Sequence, residues 1–406
     1  PVYEALAQSA SLDVPPETAP FFKTHRRNAH PTLEEEFTLA AQAITRARDA
    51  IDQLNAALLA PAKSAWPEEW NTLCPGPVIA TSWVGYDTDG RTDIGWWDTL
   101  RLRLRMKLFQ LMRLERQIAH EGVLAPELSE TLQKAIDCVK AQISAVPNGA
   151  TDGQAVARFA ELMVNGRTTA LTAASDLNAL LQSAIEAAPP SAQLPLSVAR
   201  AGFMAHGLGL AHTHVRLNAS QIHNFVRQKL NLLDDPTNPA QRRALLNRVN
   251  DALDGVTPVP VDFGALLSDP SSAGRLMMTI AQIVKYVDSD TPVRFLIAET
   301  ETGYTLLSAL WIAAYFGVAD RIEISPLFET EHALVKGEHI VEEALHSPAW
   351  RDYVRRMGRI CFQFGYSDSG RYIGQLAASY QIERLRLHIH DLLVRWDLTD
   401  VEVVFF

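Results

Sequence analysis

Two acidic side chains closely follow short apolar runs in the second half of this 406-residue sequence. Glu329 comes after Arg321–Phe328, and Asp368 comes shortly after Ile360–Gly365. Two carboxylates that converge from neighbouring strands suit Mg²⁺, which takes one or two protein carboxylates and leaves positions for water and substrate oxygens. A strand-end hydrogen bond for Glu329 and a helix cap for Asp368 explain the same residues equally well. Taken singly, each residue leaves both interpretations open.

A basic segment, residues 23–30, precedes a predicted helix start. It contains lysine, histidine and arginine side chains, ends at His30, and leads into a capping box formed by Thr32 and Glu35. Anions are favoured at a helix N-terminus because its backbone N–H groups and dipole point toward them. His30 could therefore carry a proton beside a bound anion at neutral pH. A basic surface loop with a structural histidine is the other interpretation, and composition alone favours it.

One arginine and two histidines lie together on a further strand-like run, Leu208–Arg216. Arg216 is a candidate fork for a phosphate or a carboxylate. His212 and His214 alternate along the run and face one side, which would allow a metal site, but no third ligand accompanies them. The sequence thus indicates an anion-binding arginine here more than a second metal.

Two pairs of acidic residues have simpler interpretations. Asp87 and Asp89 follow a predicted strand and could bind a metal, but Asp and Gly also form turns, which is the better interpretation of this stretch alone. Glu299 and Glu301 flank the end of another predicted strand, where we expect them to cap a helix.

The elements that must position these residues are short strands separated by long helical segments, a pattern typical of parallel βα units. We therefore predict an α/β fold, mostly helical and built around a (β/α)₈ TIM-like barrel that is incomplete in this chain, with residues 1–406 forming a single domain with large helical insertions. Pro-rich stretches, among them Ala188–Pro195, are predicted loops. The predicted strands are Phe22–Ala29, Val78–Gly85, Leu208–Arg216, Arg294–Glu299, Arg321–Phe328, Ile360–Gly365 and Val401–Phe406.

Composition and charge exclude several functional classes. The net charge of −10 argues against nucleic acid or an anionic membrane as partners. The longest apolar stretch, Thr305 to Ala319, is too short to span a bilayer and is a predicted buried helix. Three cysteines without metal-ligand spacing indicate a reduced, cytoplasmic protein. Because the chain begins at Pro1 and stops within a predicted strand, we expect a fragment of a longer protein.

Five segments, in order along the chain, resemble the active-site motifs of the phosphoenolpyruvate carboxylase family. The closest are two segments that match the family's metal-binding motifs almost letter for letter. The resemblance extends from about Lys23 to the end of the chain, and the order of the motifs makes it specific. The segments are Asn28–Thr32, Trp83–Arg91, His214–Arg216, Pro326–Thr330 and Gly365–Ser369.

The resemblance implies an enzyme that carboxylates phosphoenolpyruvate with bicarbonate to give oxaloacetate and phosphate, an anaplerotic fixation of carbon. It implies His30 as the catalytic histidine, Arg216 as a catalytic and phosphate-binding arginine, and Glu329 and Asp368 as ligands of Mg²⁺ or Mn²⁺. Arg371 takes the place of a lysine thought to help bind bicarbonate, and so is a candidate substrate-binding residue. The family also implies a cytoplasmic homotetramer.

The sequence departs from the family's motifs at several positions. Leu33 stands where the family usually has Glu, Tyr86 and Arg91 replace common residues of the second motif, and His214 replaces an Asp. Two alternatives to the carboxylase therefore stay open: a catalytically silent or regulatory family member, and another Mg²⁺-dependent barrel enzyme that acts on pyruvate or phosphoenolpyruvate.

Overall fold

The computed structural model describes residues 31–88, 91, 93–122, 125–149, 152–236 and 238–406. In this part of the chain the strands are β1 Thr81–Ser82, β2 His212–Asn218, β3 Val293–Ala298, β4 Ile322–Phe328, β5 Arg359–Phe364 and β6 Glu402–Phe405. The helices are α1 Leu33–Ala65, α2 Trp96–His120, α3 Pro126–Ala145, α4 Gly153–Asn165, α5 Asn178–Ala187, α6 Pro190–His206, α7 Ala219–Leu230, α8 Pro239–Asp254, α9 Phe263–Ser268, α10 Ser272–Tyr286, α11 Gly303–Tyr315, α12 Glu331–Leu345, α13 Pro348–Met357, α14 Tyr366–Ile373 and α15 Gln375–Arg395.

All six strands belong to one parallel sheet, ordered β1-β2-β3-β4-β5-β6 as in the chain. The sheet curls. His214 on β2 and Phe406 after β6 are four strand spacings apart, which is about 19 Å in a flat sheet, yet their ring centroids are 5.5 Å apart. The predicted architecture, a mostly helical α/β protein around a parallel sheet, is confirmed for the described residues. The predicted strand Phe22–Ala29 lies outside them.

Local sequence accounts for where several helices begin. Thr32 caps α1: its hydroxyl accepts a hydrogen bond from the Glu35 amide (3.3 Å), and the Glu35 carboxylate accepts one from the Thr32 amide (2.8 Å). The predicted capping box is therefore confirmed. The predicted buried helix is confirmed as α11, in which every residue of Gly303–Ala313 is buried. Among the described residues no helix is both long enough and apolar enough to cross a membrane.

The Pro-rich stretch Ala188–Pro195 was expected to form a loop, and that prediction is wrong for most of its length. Helix α6 begins at Pro190, at the first helical position, where a proline costs nothing because that amide has no partner within the helix. Pro195 lies inside the helix and removes one backbone hydrogen bond. The buried side chains of Ala199 and Phe203 keep the helix packed against the core.

An ion network around the buried carboxylate of Glu323 joins three strands near their amino ends. The Glu323 carboxylate accepts hydrogen bonds from Arg294 Nε (2.9 Å) and from Arg359 Nη1 (3.2 Å). These side chains lie on β4, β3 and β5, respectively, and Arg294 is directly opposite Glu323 in the strand register. Since loss of both arginines would leave the buried Glu323 carboxylate uncompensated, the network favours the register of the strands whose other ends carry the candidate site.

Four histidines stay uncharged in the folded chain at neutral pH. Burial lowers the pKa of His206 and His214 to about 3 and that of His212 and His223 to about 4. At least one of these rings accepts a hydrogen bond that requires its unprotonated nitrogen: His206 Nε2 accepts from the Ala80 amide (2.9 Å). The folded state therefore depends on these imidazoles remaining unprotonated.

Candidate active site

Glu329 directly follows the carboxyl end of β4 and directly precedes the residue that caps α12. The next residue, Thr330, caps α12 by accepting a hydrogen bond from the Ala333 amide (3.1 Å). On the other side, the Gly365 amide donates to the Phe328 carbonyl (3.0 Å). A Cβ atom at Gly365 would lie 2.4 Å from the Glu329 Cβ, so only glycine allows the two chain segments to approach this closely.

Asp368 and Arg371 are both on α14, the short helix that begins directly after Gly365. Asp368 is the third residue of the helix and half-buried, while Arg371 is exposed in its last turn. The helix is capped at Gly365, so the cap predicted for Asp368 is not the one that forms. Because Gly365 contacts Glu329, the structure brings the two predicted metal-binding segments together at the carboxyl ends of β4 and β5.

Arg216 lies near the carboxyl end of β2, beside the turn that follows β1. Its backbone is paired with that turn: the Arg216 amide donates to the Tyr86 carbonyl (3.2 Å), and Thr88 donates through its hydroxyl to the Arg216 carbonyl (3.0 Å). The guanidinium lies 3.9 Å from the Asp87 carboxylate. Asp87 therefore places a negative charge beside Arg216, two strands away from Glu329.

The segment around Asp87 is a turn for more of its length than the sequence predicts. The expected strand Val78–Gly85 shortens to Thr81–Ser82, because the Tyr86 amide folds back to donate to the Trp83 carbonyl (2.9 Å). Gly85 adopts a φ of 85°, which suits glycine. The interpretation as a turn is confirmed for the described residues that precede Asp87, and Asp89 lies outside the described residues.

Arg91, one of the departures from the family's motifs, ties this turn to α1. Its guanidinium donates to Asp93 (2.7 Å) and to Glu36 (3.2 Å), and these partners raise the pKa of Arg91. Arg91 thus has a structural role in this chain, because it holds the turn after β1 against the first helix.

Glu299, which the sequence led us to expect as a helix cap, has a different place. The cap of α11 is Thr302, and the Gly303 amide donates instead to the Glu343 carboxylate (2.9 Å) from α12. Glu299 directly follows β3 with a φ of 57°, a left-handed conformation that costs a residue with a Cβ about 1–2 kcal/mol. Its amide donates to Glu329 Oε1 (3.2 Å). Sequence patterns contain no signal for this contact, since it depends on the order of the strands.

The donor set at this edge of the sheet fits a cation that is only partly held by protein. Among the described residues, no three His, Cys, Asp or Glu side chains are grouped so that they could hold a metal ion together. Within the same described residues, no third side chain of these types joins His212 and His214, the pair that the sequence offered as a possible metal site. Glu329 and Asp368 remain as two oxygen donors on adjoining segments, the number that Mg²⁺ commonly takes from protein before water and substrate complete its shell.

His30 lies outside the described residues, two positions before Thr32 in the sequence. Of the other predicted site residues, Glu329 and the Asp368 helix adjoin, Arg216 lies on the same sheet, and Arg371 lies one helical turn beyond Asp368. The candidate site is therefore the carboxyl edge of a curled parallel sheet, where functional groups of barrel enzymes lie.

Comparison with known proteins agrees with this arrangement. The family model described as phosphoenolpyruvate carboxylase matches residues 115–399, which include Arg216, Glu329, Asp368 and Arg371. Similar curated proteins named phosphoenolpyruvate carboxylase come from Corynebacterium diphtheriae (31% identical, covering 34% of this chain and 16% of that protein), Gloeobacter violaceus (25%, covering 47% and 21%) and Aeromonas hydrophila (26%, covering 30% and 13%). The matched part is thus about a fifth or less of each relative's length. The family model covers well over half of the residues of this chain, and the chain therefore belongs to the phosphoenolpyruvate carboxylase family.

Proposed function

We propose that the protein containing this chain carboxylates phosphoenolpyruvate with bicarbonate to form oxaloacetate and phosphate. The observation that carries the proposal is the placement of Glu329 at the carboxyl end of β4, against Gly365 and the helix of Asp368. These are the two segments that resemble the family's metal-binding motifs. Membership of the family supports the reaction, and the rest of the proposal assigns roles to this chain's residues.

Glu329 and Asp368 would hold Mg²⁺ or Mn²⁺. Bound there, the cation would supply positive charge beside the oxygens of the substrate. The two carboxylates bring the negative charge that attracts it, and Gly365 keeps their segments in contact. Replacement of either carboxylate should therefore act on metal affinity and on rate together.

Arg216 and Arg371 would hold the anionic substrates. Arg216 can present a planar fork of donors to the phosphoryl group, and its backbone is anchored to the β1 turn through Thr88 and Tyr86. Arg371, exposed at the end of α14, stands where the family has a lysine and would contact bicarbonate. A guanidinium keeps the positive charge of that lysine but presents it over a wider, planar group.

The reaction starts with attack of a bicarbonate oxygen on phosphorus and cleavage of the bond to the enol oxygen. The products of this step are carboxyphosphate and the enolate of pyruvate. His30 would accept the carboxyl proton of carboxyphosphate, which then divides into carbon dioxide and phosphate. The enolate carbon attacks carbon dioxide and gives oxaloacetate.

Substitution His30→Asn should strongly lower the rate of carboxylation while substrate binding survives. Asparagine keeps a polar side chain but accepts no proton, so we expect oxaloacetate formation to fall by about a hundredfold. Bicarbonate-dependent hydrolysis of phosphoenolpyruvate to pyruvate should persist. Separate assays of pyruvate and oxaloacetate measure the two, and a near-normal oxaloacetate rate would reduce His30 to a structural residue.

We further propose that the sheet is part of a complete (β/α)₈ barrel within one domain, and that the protein is a cytoplasmic homotetramer. The six parallel strands in chain order and their curl support the barrel. Family membership supports the assembly and the location.

The proposed function is tested by coupling the intact protein to malate dehydrogenase and following the loss of NADH. We expect a rate that requires phosphoenolpyruvate, bicarbonate and Mg²⁺ together. No rate at any Mg²⁺ concentration from folded protein would indicate a silent or regulatory family member. Consumption of phosphoenolpyruvate that does not require bicarbonate would indicate another enzyme of the barrel class.

A further inference from the structure

Glu299 is the residue at the candidate site whose backbone conformation demands an explanation. Four non-glycine residues in the described part of the chain have a positive φ: Leu171, Asn231, Glu299 and Asp397. Of these, Glu299 directly follows a strand of the sheet, at the edge that carries Glu329. A left-handed backbone at a residue with a Cβ persists only where the surrounding contacts enforce it, and such residues cluster at functional sites.

The left-handed conformation aims the amide of Glu299 at the neighbouring strand end. The N–H group donates to Glu329 Oε1 over 3.2 Å. β3 and β4 are adjacent in the sheet, so the two residues follow strands that run side by side. Gly365 contacts Glu329 from the next strand, β5, and leaves no space for a Cβ on that side. The Glu329 side chain is thus held from both neighbouring strands.

The side chain of Glu299 is bound in turn by a residue that is itself fixed. Asn218 Nδ2 donates to Glu299 Oε2 over 2.7 Å. Asn218 ends β2 and caps α7, where its Oδ1 accepts a hydrogen bond from the Ser220 amide (2.8 Å). One asparagine therefore anchors both a helix start and the Glu299 carboxylate, and this contact opposes the relaxation of the left-handed backbone.

We propose that Glu299 is a positioning residue, whose side chain is locked by Asn218 so that its backbone amide orients the Glu329 carboxylate for cation binding. The inference rests on the proposed role of Glu329 as a metal ligand. Residues that orient metal ligands from behind typically affect metal affinity strongly when replaced. Glu299 itself does not touch the cation in this account.

Two substitutions at Glu299 separate positioning from charge and from stability. Glu299→Gly suits the left-handed conformation and keeps the amide but loses the contact to Asn218. We expect it to weaken Mn²⁺ binding by roughly tenfold without lowering the melting temperature. Glu299→Gln removes the charge yet keeps an oxygen that can accept from Asn218, so its Mn²⁺ affinity should stay close to the parent's.

Titration calorimetry with Mn²⁺ alone, together with thermal unfolding, measures both effects on the intact protein. Asn218→Ser tests the same contact from its other side. Serine keeps an oxygen for the α7 cap but lacks the side-chain amide that donates to Glu299. This variant should therefore weaken Mn²⁺ binding like Glu299→Gly. Equal losses in Glu299→Gly and Glu299→Gln would assign the effect to charge and overturn the proposal. An unchanged Mn²⁺ affinity in Glu299→Gly would overturn it as well.

Metal-free crystal structures of the parent and of Glu299→Gly test the positioning of the Glu329 carboxylate independently of its proposed role as a metal ligand. If the parent binds no Mn²⁺, the metal role of Glu329 fails, and the crystals alone decide on positioning. A Glu329 carboxylate that shifts or becomes disordered in Glu299→Gly supports the inference. A carboxylate in the same place in both structures contradicts it.

Discussion

Glu329→Gln should lower the rate of oxaloacetate formation by about a thousandfold while the protein folds normally. Glutamine has the size of glutamate, so the contact with Gly365 is kept, and its carbonyl oxygen can still accept from the Glu299 amide. What it loses is the negative charge that attracts the cation. The loss should therefore appear as a large rise in the Mg²⁺ concentration needed for activity and a lower rate at saturation.

Asp368→Asn should behave in the same way, with normal folding, slow turnover and a higher metal requirement. Initial rates over a range of Mg²⁺ concentrations and the melting temperature of each variant measure these effects. Glu331→Gln is a matched control, since Glu331 is an exposed glutamate only two residues from Glu329, in the first turn of α12. The assignment is wrong if Glu329→Gln and Asp368→Asn retain rates close to that of Glu331→Gln.

Acidification well below pH 6.5 should unfold the protein cooperatively, because at such pH four histidines stay neutral in the folded state but are protonated in the unfolded chain. Their pKa values are about 3 for His206 and His214 and about 4 for His212 and His223. In the unfolded chain the value is about 6.5. As the pH falls from 6.5 toward 4, the unfolded chain therefore binds protons that the folded chain does not, and the free energy of unfolding decreases.

The size of this effect follows from proton linkage. Each such group contributes about 1.4 kcal/mol per pH unit once the pH is well below 6.5, so four contribute roughly 5 kcal/mol per unit. A typical domain has about 5–15 kcal/mol of stability in total, which places unfolding near pH 5. Above pH 6.5 the same histidines contribute no pH dependence, since both states are neutral.

Urea unfolding followed by circular dichroism at several pH values between 7 and 5 measures this slope. His206→Gln should reduce the number of protons taken up on unfolding by one. His332→Gln is the control substitution, at a histidine that lies exposed at the start of α12. A free energy of unfolding that stays constant from pH 6.5 to pH 5 would contradict this account.

Much of the scaffold could be predicted from local pattern. The capping box of Thr32, the buried helix α11 and the strands before Glu329 and Asp368 depend on residues close together in the chain, and the structure has them nearly as expected. The placement of both carboxylates at one edge of the sheet follows as well, because parallel strands joined by helices end on the same side.

The contacts that shape the candidate site could not be predicted in this way. Glu299 looks like a helix cap in sequence, but the Gly303 amide at the start of α11 is satisfied by Glu343, forty residues later. The Glu299 carboxylate accepts a hydrogen bond from Asn218, which lies on another strand. Pro195 looks like a loop residue, yet the packing of α6 against the core outweighs the loss of one hydrogen bond. Each failure concerns a long-range contact that no local pattern encodes.

The central claim is that the edge of the sheet with Glu329 and Asp368 carries out the carboxylation of phosphoenolpyruvate. Incubation of the intact protein with phosphoenolpyruvate, Mg²⁺ and ¹³C-labelled bicarbonate, followed by NMR of the products, tests it most directly. We predict ¹³C in a carboxylate of newly formed oxaloacetate, one phosphate released per oxaloacetate, and loss of both products in Glu329→Gln. Unchanged phosphoenolpyruvate, or its consumption without ¹³C in any organic product, would contradict the account.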